Sequence, residues 1–258
     1  MKVKMIKIQH YHHIPAILVL LAFTGFYSSV TNAQKIPDFS AKFDVEAFGM
    51  KLGQAKQELT CKNELCKLTS HAKPSGLAAM LSSDSSKETI KLKQTKTKLT
   101  WLNYHKVGKS EKNGETVKKY RTLKLNPEAK QINSFKNKRF KKSWPSQNNL
   151  FDSVSFAYGI QFAVLNKQPI EQFFLQDISF QDPLKLVSKE QGQNLELPFK
   201  SDFKNAVKYN FKSEHAKITL WLLPTYLYFP SKIQIINDND KTITLFLAEP
   251  PKLYETQR

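Results

Sequence analysis

Two cysteines lie close together, Cys61 and Cys66, and such a pair can form a disulfide, bind a metal or carry redox chemistry. Four residues separate them, whereas a redox pair usually has two residues between its cysteines. A metal site needs more ligands, and after residue 33 the histidines are His71, His105 and His215. We therefore predict a structural disulfide, which would contribute about 2 kcal/mol to stability. A pair of functional thiols is the alternative.

The sequence contains no arrangement typical of a known catalytic centre. It has neither a Gly-x-Ser-x-Gly nucleophile motif nor a His-Glu-x-x-His metal motif. Its acids are scattered, with no pair suited to glycoside hydrolysis, and Asp152 is placed to cap a helix. We expect no enzymatic activity, no cofactor and no metal. An envelope enzyme of an unrecognised class is the alternative.

Aromatic residues are frequent from residue 151 onward and could line a cavity. The candidates are Phe156, Tyr158, Phe162, Trp221 and Tyr228. A cavity of this kind would suit an apolar ligand such as an acyl chain. The alternative is that these side chains simply fill the core.

Positive charge is concentrated in one part of a chain whose net charge is +18. Between Lys87 and Lys142 there are 18 Lys or Arg and 4 acids, a net charge of +14. Such a segment attracts polyanions. If the protein is exported, as its N-terminal sequence predicts, these are phospholipid headgroups, lipopolysaccharide and acidic glycans of the cell envelope. No nucleic-acid motif is present, so nucleic acid is not an expected partner. The candidate anion-binding residues are Lys91, Lys93, Lys118, Lys119, Arg121, Lys138, Arg139, Lys141 and Lys142. The alternative is that the lysines only solvate the strands.

The N-terminus has the three parts of a secretory signal peptide. Lysines precede an apolar run from Ile14 to Phe26, and Thr31-Asn32-Ala33 supplies small residues at the cleavage site. The run is shorter than the ~20 residues that span a bilayer. We predict cleavage near Ala33, which leaves residues 34–258 as one periplasmic domain without a membrane span. An uncleaved anchor is the alternative, and peripheral contact with an anionic membrane remains open.

Short runs of alternating apolar and polar residues dominate the rest of the chain. In the first run, every second residue from Phe39 to Ala47 is apolar, which indicates a strand with one buried face. Further strands are predicted at 54–61, 66–70, 88–93, 98–104, 118–125, 173–180, 193–197, 206–211, 217–223, 232–236 and 242–247. Many short strands at such spacing favour an antiparallel sheet or barrel.

One segment breaks this pattern, residues 152–165, with the sequence DSVSFAYGIQFAVL. It predicts a helix that is apolar on most sides and therefore buried, in which Gly159 would let a neighbouring backbone approach closely. The predicted fold is mainly β, a curved antiparallel sheet or half-barrel wrapped around one central apolar helix. A short second helix is predicted at 75–81, and a mobile loop at 135–149.

Several motifs occur in an order that is similar to a known family. They are Gly49-Met50-Lys51-Leu52-Gly53-Gln54-Ala55, Ser75-Gly76-Leu77-Ala78-Ala79, Asp152-Ser153-Val154-Ser155, Thr219-Leu220-Trp221-Leu222 and Tyr228-Phe229-Pro230-Ser231-Lys232-Ile233. Over about residues 36–250 the chain resembles the DUF3108 family of proteobacterial exported proteins, whose function is unknown. It departs from that family's pattern in its lysine-dense middle and its CxxxxC hairpin. The last motif also resembles a hairpin of the LolA and LolB lipoprotein carriers, a likeness of fold only.

Taken together, these features predict a non-enzymatic periplasmic binding protein, a carrier or sensor of lipid or another amphiphile. The alternative is an envelope-assembly or scaffolding factor that binds a protein or an anionic glycan through the basic segment.

Overall fold

The computed structural model describes residues 34–75, 79 and 84–254. Strands β1 to β16 span Asp38–Ala47, Met50–Lys62, Leu65–Pro74, Ser85–Gln94, Leu99–Lys112, Glu115–Asn126, Gln131–Lys136, Arg139–Pro145, Leu150–Asp152, Gln172–Gln176, Gln181–Leu197, Lys200–Lys212, Ala216–Leu223, Phe229–Asn237, Thr242–Leu247 and Lys252–Tyr254. Helix α1 spans Phe156–Leu165, and a 3-10 turn spans Pro224–Tyr226. The predicted signal peptide, residues 1–33, lies outside the described residues, as does most of the predicted second helix at 75–81.

The strands form one sheet in the order β8-β7-β6-β5-β4-β3-β2-β1-β15-β14-β13-β12-β11-β10-β9, with β16 also paired to β1. Neighbouring strands are antiparallel, except that β9 and β10 are parallel. The sheet curves without closing, so β8 and β9 lie at its two ends. The predicted mainly β fold, a curved antiparallel sheet around one apolar helix, is confirmed.

One face of the sheet packs on α1, and we call it the concave face; the other is the convex face. On β1, Phe39, Ala41 and Phe43 are buried, and the Phe39 ring stacks on Tyr158 of α1 with centroids 4.9 Å apart. Side chains alternate between the two faces along a strand, and directly paired residues share a face. The strand register therefore assigns every residue of the neighbouring strands to the concave or the convex face. The alternation predicted for β1 therefore places its apolar residues against the helix.

Helix α1 is buried because its sequence has almost no polar stripe. Its residues from Phe156 to Ala163 are all buried. The Tyr158 hydroxyl lies 2.5 Å from Gln57 Oε1 of β2, to which it donates, so the one phenol of the helix is satisfied. A Cβ at Gly159 would lie 2.6 Å from the Phe151 ring. The predicted close neighbour of Gly159 was a backbone; it is this aromatic ring.

Asp152 supports the entry to the helix from a position farther upstream than a cap residue. Its Oδ1 accepts hydrogen bonds from the backbone N–H groups of Val154 and Ser155, at 2.9 and 3.1 Å. The helix itself begins at Phe156, and Ser155 is the N-cap residue. The prediction that Asp152 orders this end holds, but the helix starts four residues later than predicted.

Residues 135–149 were predicted to be a mobile loop, and this was wrong. Most of them form β8 and its hairpin with β7, in which Ile132 pairs with Trp144 and both are buried. Asn137 and Lys138 make the two-residue turn, with φ of 50° and 65°. The surrounding lysines hid this short apolar alternation.

The predicted disulfide is present between Cys61 and Cys66, with the sulfur atoms 2.07 Å apart. The two residues are directly opposite each other in β2 and β3, and Asn63 adopts a positive φ in the turn between them. The bridge closes the tip of this hairpin.

Candidate functional site

An apolar cavity of about 290 Å³ lies where the first turn of α1 approaches β13 and β14, and we call it the mouth cavity. Its lining residues are Ser153, Phe156, Ala157, Leu175, Phe180, His215, Ala216, Ile218, Ile233, Ile235, Asn237 and Asp238. Phe156 contributes the helix side, and Ile218 and Ile233 contribute the sheet side. Because most of this lining is aliphatic or aromatic, the cavity suits hydrocarbon better than a polar group.

His215 combines an aromatic contact and an ion pair in the wall of this cavity. Its ring stacks on Phe180 with centroids 4.5 Å apart and planes 9° from parallel. Its Nδ1 lies 2.8 Å from Asp182 Oδ2, and its backbone N–H donates to the same oxygen at 3.2 Å. The hydrogen bond to Asp182 raises the pKa of His215 above its usual value, against the opposing effect of desolvation. One side of an otherwise apolar cavity therefore carries a histidine whose protonated form is favoured by Asp182.

Asp182, Glu214 and His215 also place one candidate metal ligand each within 4.8 Å of one another. Carboxylate and imidazole groups could bind a divalent transition metal. However, Asp182 already accepts two hydrogen bonds from His215, and a metal would have to displace them. The cluster therefore fits an ion pair better than a metal centre.

The apolar surface continues from the cavity across the concave face. Ile233 of β14 pairs with Leu245 of β15, which pairs with Val45 of β1, so the three side chains share that face. At the end of the same strands lies an apolar rim made of three exposed side chains: Phe48 is 70% exposed, Met50 60% and Ile243 43%. Such a run of accessible hydrocarbon is typical of an interaction surface.

Phe48 occupies a position that local physics does not favour. It forms a two-residue turn with Gly49 between β1 and β2, and their φ values are 54° and 72°. Positive φ at both positions defines a type I′ turn, for which Asn-Gly is preferred. A bulky aromatic there is strained in its backbone and exposed to water at the same time. Neither turn formation nor packing explains this phenylalanine.

Beyond Val45 the concave face opens into a trough of about 480 Å³. Its floor includes small residues such as Gly53, Ala72 and Gly108. Lys73, Lys109 and Lys119 are among its lining residues. By strand register Lys119 is on the concave face, whereas Lys73 and Lys109 are on the convex face. The apolar surface therefore leads from the mouth cavity, past the rim, to a trough with Lys119 on its wall.

No family model matches the chain, and no curated protein matches it. Among solved structures, it is similar to the crystal structure of a beta-barrel-like protein of domain of unknown function DUF1849 from Brucella abortus. The two share 11% sequence identity with a TM-score of 0.50, over 86% of this chain and 100% of that one. At this identity the likeness shows a beta-barrel-like fold and nothing about activity. Within the described residues, no helix is long and apolar enough to cross a membrane.

The five aromatic residues predicted to line a cavity lie in different places. Phe156 lines the mouth cavity, whereas Tyr158 and Phe162 are fully packed in the core. Tyr228 lines a separate cleft at the other end of α1. Trp221 lies on the convex face, with Lys232 Nζ 4.8 Å from its ring centroid, and lines none of these cavities.

The nine candidate anion-binding residues do not form one surface. By strand register, Lys91, Lys93 and Lys118 lie on the convex face. Lys119 and Arg121 share the concave side with the buried Leu123. The remaining four, Lys138, Arg139, Lys141 and Lys142, lie in or near the β7–β8 hairpin, where Lys142 Nζ lies 5.3 Å from the Trp144 ring centroid.

Sequence reasoning missed two features of this surface, the Asp182–His215 pair at the mouth cavity and Phe48 in the apolar rim. Asp182 and His215 are 33 residues apart, and their pairing depends on how β11 is placed against the turn before β13. Phe48 could have been found, because Phe-Gly between two alternating runs is an unusual choice for a two-residue hairpin.

Proposed function

We propose that this protein is a non-catalytic binding protein that holds the apolar part of an amphiphile in the mouth cavity and along the concave face. The observation that carries the proposal is the mouth cavity itself, about 290 Å³ of space lined mainly by hydrocarbon between helix and sheet. A core that served only to stabilise the fold would be expected to fill such a space, because voids are destabilising.

The position of the charges supports an amphiphile in preference to a pure hydrocarbon. An acyl chain in the mouth cavity, extended across Leu245 and Val45, would bring a headgroup toward the trough. Of the three lysines that line the trough, Lys119 lies on the concave face by register and would attract an anionic headgroup. The exposed rim would meet the membrane from which such a ligand is taken.

A periplasmic location supports the same role. The N-terminal sequence has the features of a signal peptide, and the Cys61–Cys66 disulfide fits an oxidising compartment. We also propose membership of the DUF3108 family, on the order of the motifs given above, and a carrier role analogous to LolA and LolB, on fold likeness alone.

The experiment is binding of a fluorescent fatty acid to purified protein, combined with native mass spectrometry of protein isolated from the periplasm. Ala216 lines the cavity, so Ala216→Phe should fill it and weaken binding about tenfold or more. Lys217 lies next to it on the convex side, so Lys217→Phe adds the same group elsewhere and should leave binding unchanged. An apo mass together with equal binding by the two variants would contradict the proposal.

A second candidate, an assembly factor that binds a protein or an anionic glycan, is supported by the convex face. Lys67 is directly opposite Lys91, and Lys109 is directly opposite Lys118. Like charges in this arrangement destabilise a sheet, which suggests that they serve a polyanionic partner. Cross-linking in cells should then capture one defined envelope component, and 0.5 M salt, at roughly a 4 Å Debye length, should release it.

A further inference from the structure

A second, larger cleft lies at the C-terminal end of α1, away from the mouth cavity. Its volume is about 670 Å³, and it is bounded by the segment after the helix, the β11–β12 hairpin and the turn that begins at Pro224. We call it the polar cleft, because Lys167, Lys189, Asn205, Tyr209 and Tyr228 are among its lining residues. Its chemistry differs from that of the aliphatic mouth cavity.

Tyr209 is the most informative residue of the polar cleft. Its side chain is 1% exposed and its ring stacks on Phe211, with centroids 6.3 Å apart. Its hydroxyl makes no hydrogen bond with any group in the described ranges. It is also not among the fully buried side-chain atoms that lack a partner, which within the described residues are Ser134 Oγ and Gln161 Oε1. The hydroxyl therefore has solvent contact at the cleft, where it is free to bond with a ligand. Burial and the nearby Tyr228 raise the pKa of Tyr209 to about 12, so the hydroxyl remains a donor at neutral pH.

Tyr228 is held at the cleft by an unusual turn. Leu227 and Tyr228 both have positive φ, 55° and 54°, a conformation that non-glycine residues adopt rarely. The turn is fixed by Leu227 N–H, which donates to the Pro224 carbonyl at 3.1 Å, and by the Gln161 amide, which donates to the Leu227 carbonyl at 2.9 Å. The buried helix therefore holds a strained segment that places a second phenol on the cleft wall.

The charges of the cleft favour an anion over a cation. Lys167 and Lys189 line it, and Lys189 Nζ lies 5.7 Å from the Tyr209 ring centroid; Glu171 is the acid among the lining residues. The carbonyls at the end of α1 do not offer a cation site, since those of residues 162–164 accept hydrogen bonds from the backbone N–H groups of residues 166–168. The charged lining residues of the cleft are therefore two cations and one acid.

We propose that the polar cleft binds an acidic sugar, with the Tyr209 hydroxyl as a donor to the ligand and Lys189 as the counter-ion of its carboxylate. The half-buried Tyr228 and Pro224 offer surfaces for the C–H face of a sugar ring, and Asn205 offers an amide to its hydroxyl groups. The cleft volume is in the range of small-ligand sites. This proposal does not depend on the mouth cavity, and a lipid is not needed to test it.

The experiment is calorimetric titration of the full chain with oligogalacturonate, with an uncharged galactose oligomer of equal length as the second probe. Tyr209→Phe keeps the ring and removes only the hydroxyl, so affinity for both probes should fall about fivefold, the value of one hydrogen bond. Lys189→Gln should lower the affinity for the acidic probe and leave the affinity for the neutral probe unchanged. Tyr120→Phe, a phenol on the strand face away from the helix, is the matched control and should bind as the unmodified protein does.

Folding is checked separately by thermal unfolding. Since the Tyr209 hydroxyl has no partner within the described residues, Tyr209→Phe should be at least as stable as the unmodified protein. Absence of binding at millimolar probe, or equal affinities for Tyr209→Phe and Tyr120→Phe, would overturn the proposal. So would a Lys118→Gln variant that loses as much affinity as Lys189→Gln, because the probe would then be held by general surface charge.

Discussion

The indole N–H of Trp101 donates a hydrogen bond to Asp152 Oδ2 at 2.8 Å, and this contact joins two parts of the sheet that are not paired as strands. Trp101 belongs to β5 and Asp152 ends β9, so the bond helps to hold the curve around α1. Asp152 is almost fully buried, and desolvation raises the pKa of its carboxyl above the usual value although four donors oppose that shift. Each of those donors therefore matters to stability.

Removing the indole donor should destabilise the fold. Trp101→Phe keeps an aromatic ring but removes one hydrogen bond to a buried carboxyl group, and we expect a loss of about 2–3 kcal/mol in the free energy of unfolding. Trp144→Phe is the control, because Trp144 is similarly buried and makes no hydrogen bond to Asp152. Urea denaturation of both variants measures the difference. Equal losses would show that ring volume matters and the hydrogen bond does not.

The packing of α1 can be tested at its glycine. A Cβ at Gly159 would lie 2.6 Å from the Phe151 ring, so Gly159→Ala should cost about 1–3 kcal/mol through overpacking, despite the better helix propensity of alanine. At Gly108 the nearest heavy atom to an added Cβ is 3.9 Å away, and Gly108→Ala should be close to neutral. A Gly159→Ala variant with a raised midpoint in the same denaturation assay would contradict this packing.

The fold was largely predictable because its signal is local. Alternation along β1 identifies the buried face from Phe39 onward, and the unbroken apolar run from Phe156 identifies the buried helix. The β7–β8 hairpin was missed for a physical reason: Ile132 and Trp144 are buried on one face, while the lysines around them carry most of the compositional signal.

The candidate site was less predictable, because it depends on register and on distant pairing. Lys118 and Lys119 are adjacent in sequence and point to opposite faces, so a count of charges cannot define a surface. The Asp182–His215 pair joins the start of β11 to the turn before β13, and no local pattern encodes that contact.

The contact between His215 and Asp182 makes the stability of the fold depend on pH, and the direction of the pKa shift fixes the sign of that dependence. Because its pKa in the fold is raised above 6.5, the stabilisation is present below 6.5 and is lost as pH rises through the raised value. Asp182, Glu214 and Asp238 are the charged groups that favour the protonated ring. As the pH rises above 6.5, His215→Gln should therefore lose less stability than the unmodified protein, measured as melting temperature.

His71 supplies a control of opposite sign. Desolvation, with Lys87 and Lys73 nearby, lowers its pKa below 6.5, so the folded state takes up a proton less readily than the unfolded chain and loses stability as pH falls. His71→Gln should therefore reduce the loss on acidification and leave the alkaline side unchanged. Two variants with the same pH profile would show that neither histidine titrates as its surroundings indicate.

The apolar rim makes a prediction about membranes that separates hydrocarbon contact from charge attraction. Phe48→Asn places the preferred residue in a type I′ turn, so stability should hold or rise, while the loss of the exposed ring should reduce partitioning onto anionic vesicles about tenfold. The effect should persist at 0.5 M salt, where attraction between the basic convex face and the vesicles is screened.

Phe140→Asn removes a ring that is 58% exposed on β8, away from the rim, and serves as the control. Vesicle co-sedimentation measures both variants. If Phe48→Asn partitions as the unmodified protein does, or if Phe140→Asn falls equally, the rim is not the membrane contact, and the strained phenylalanine at the turn would need another explanation.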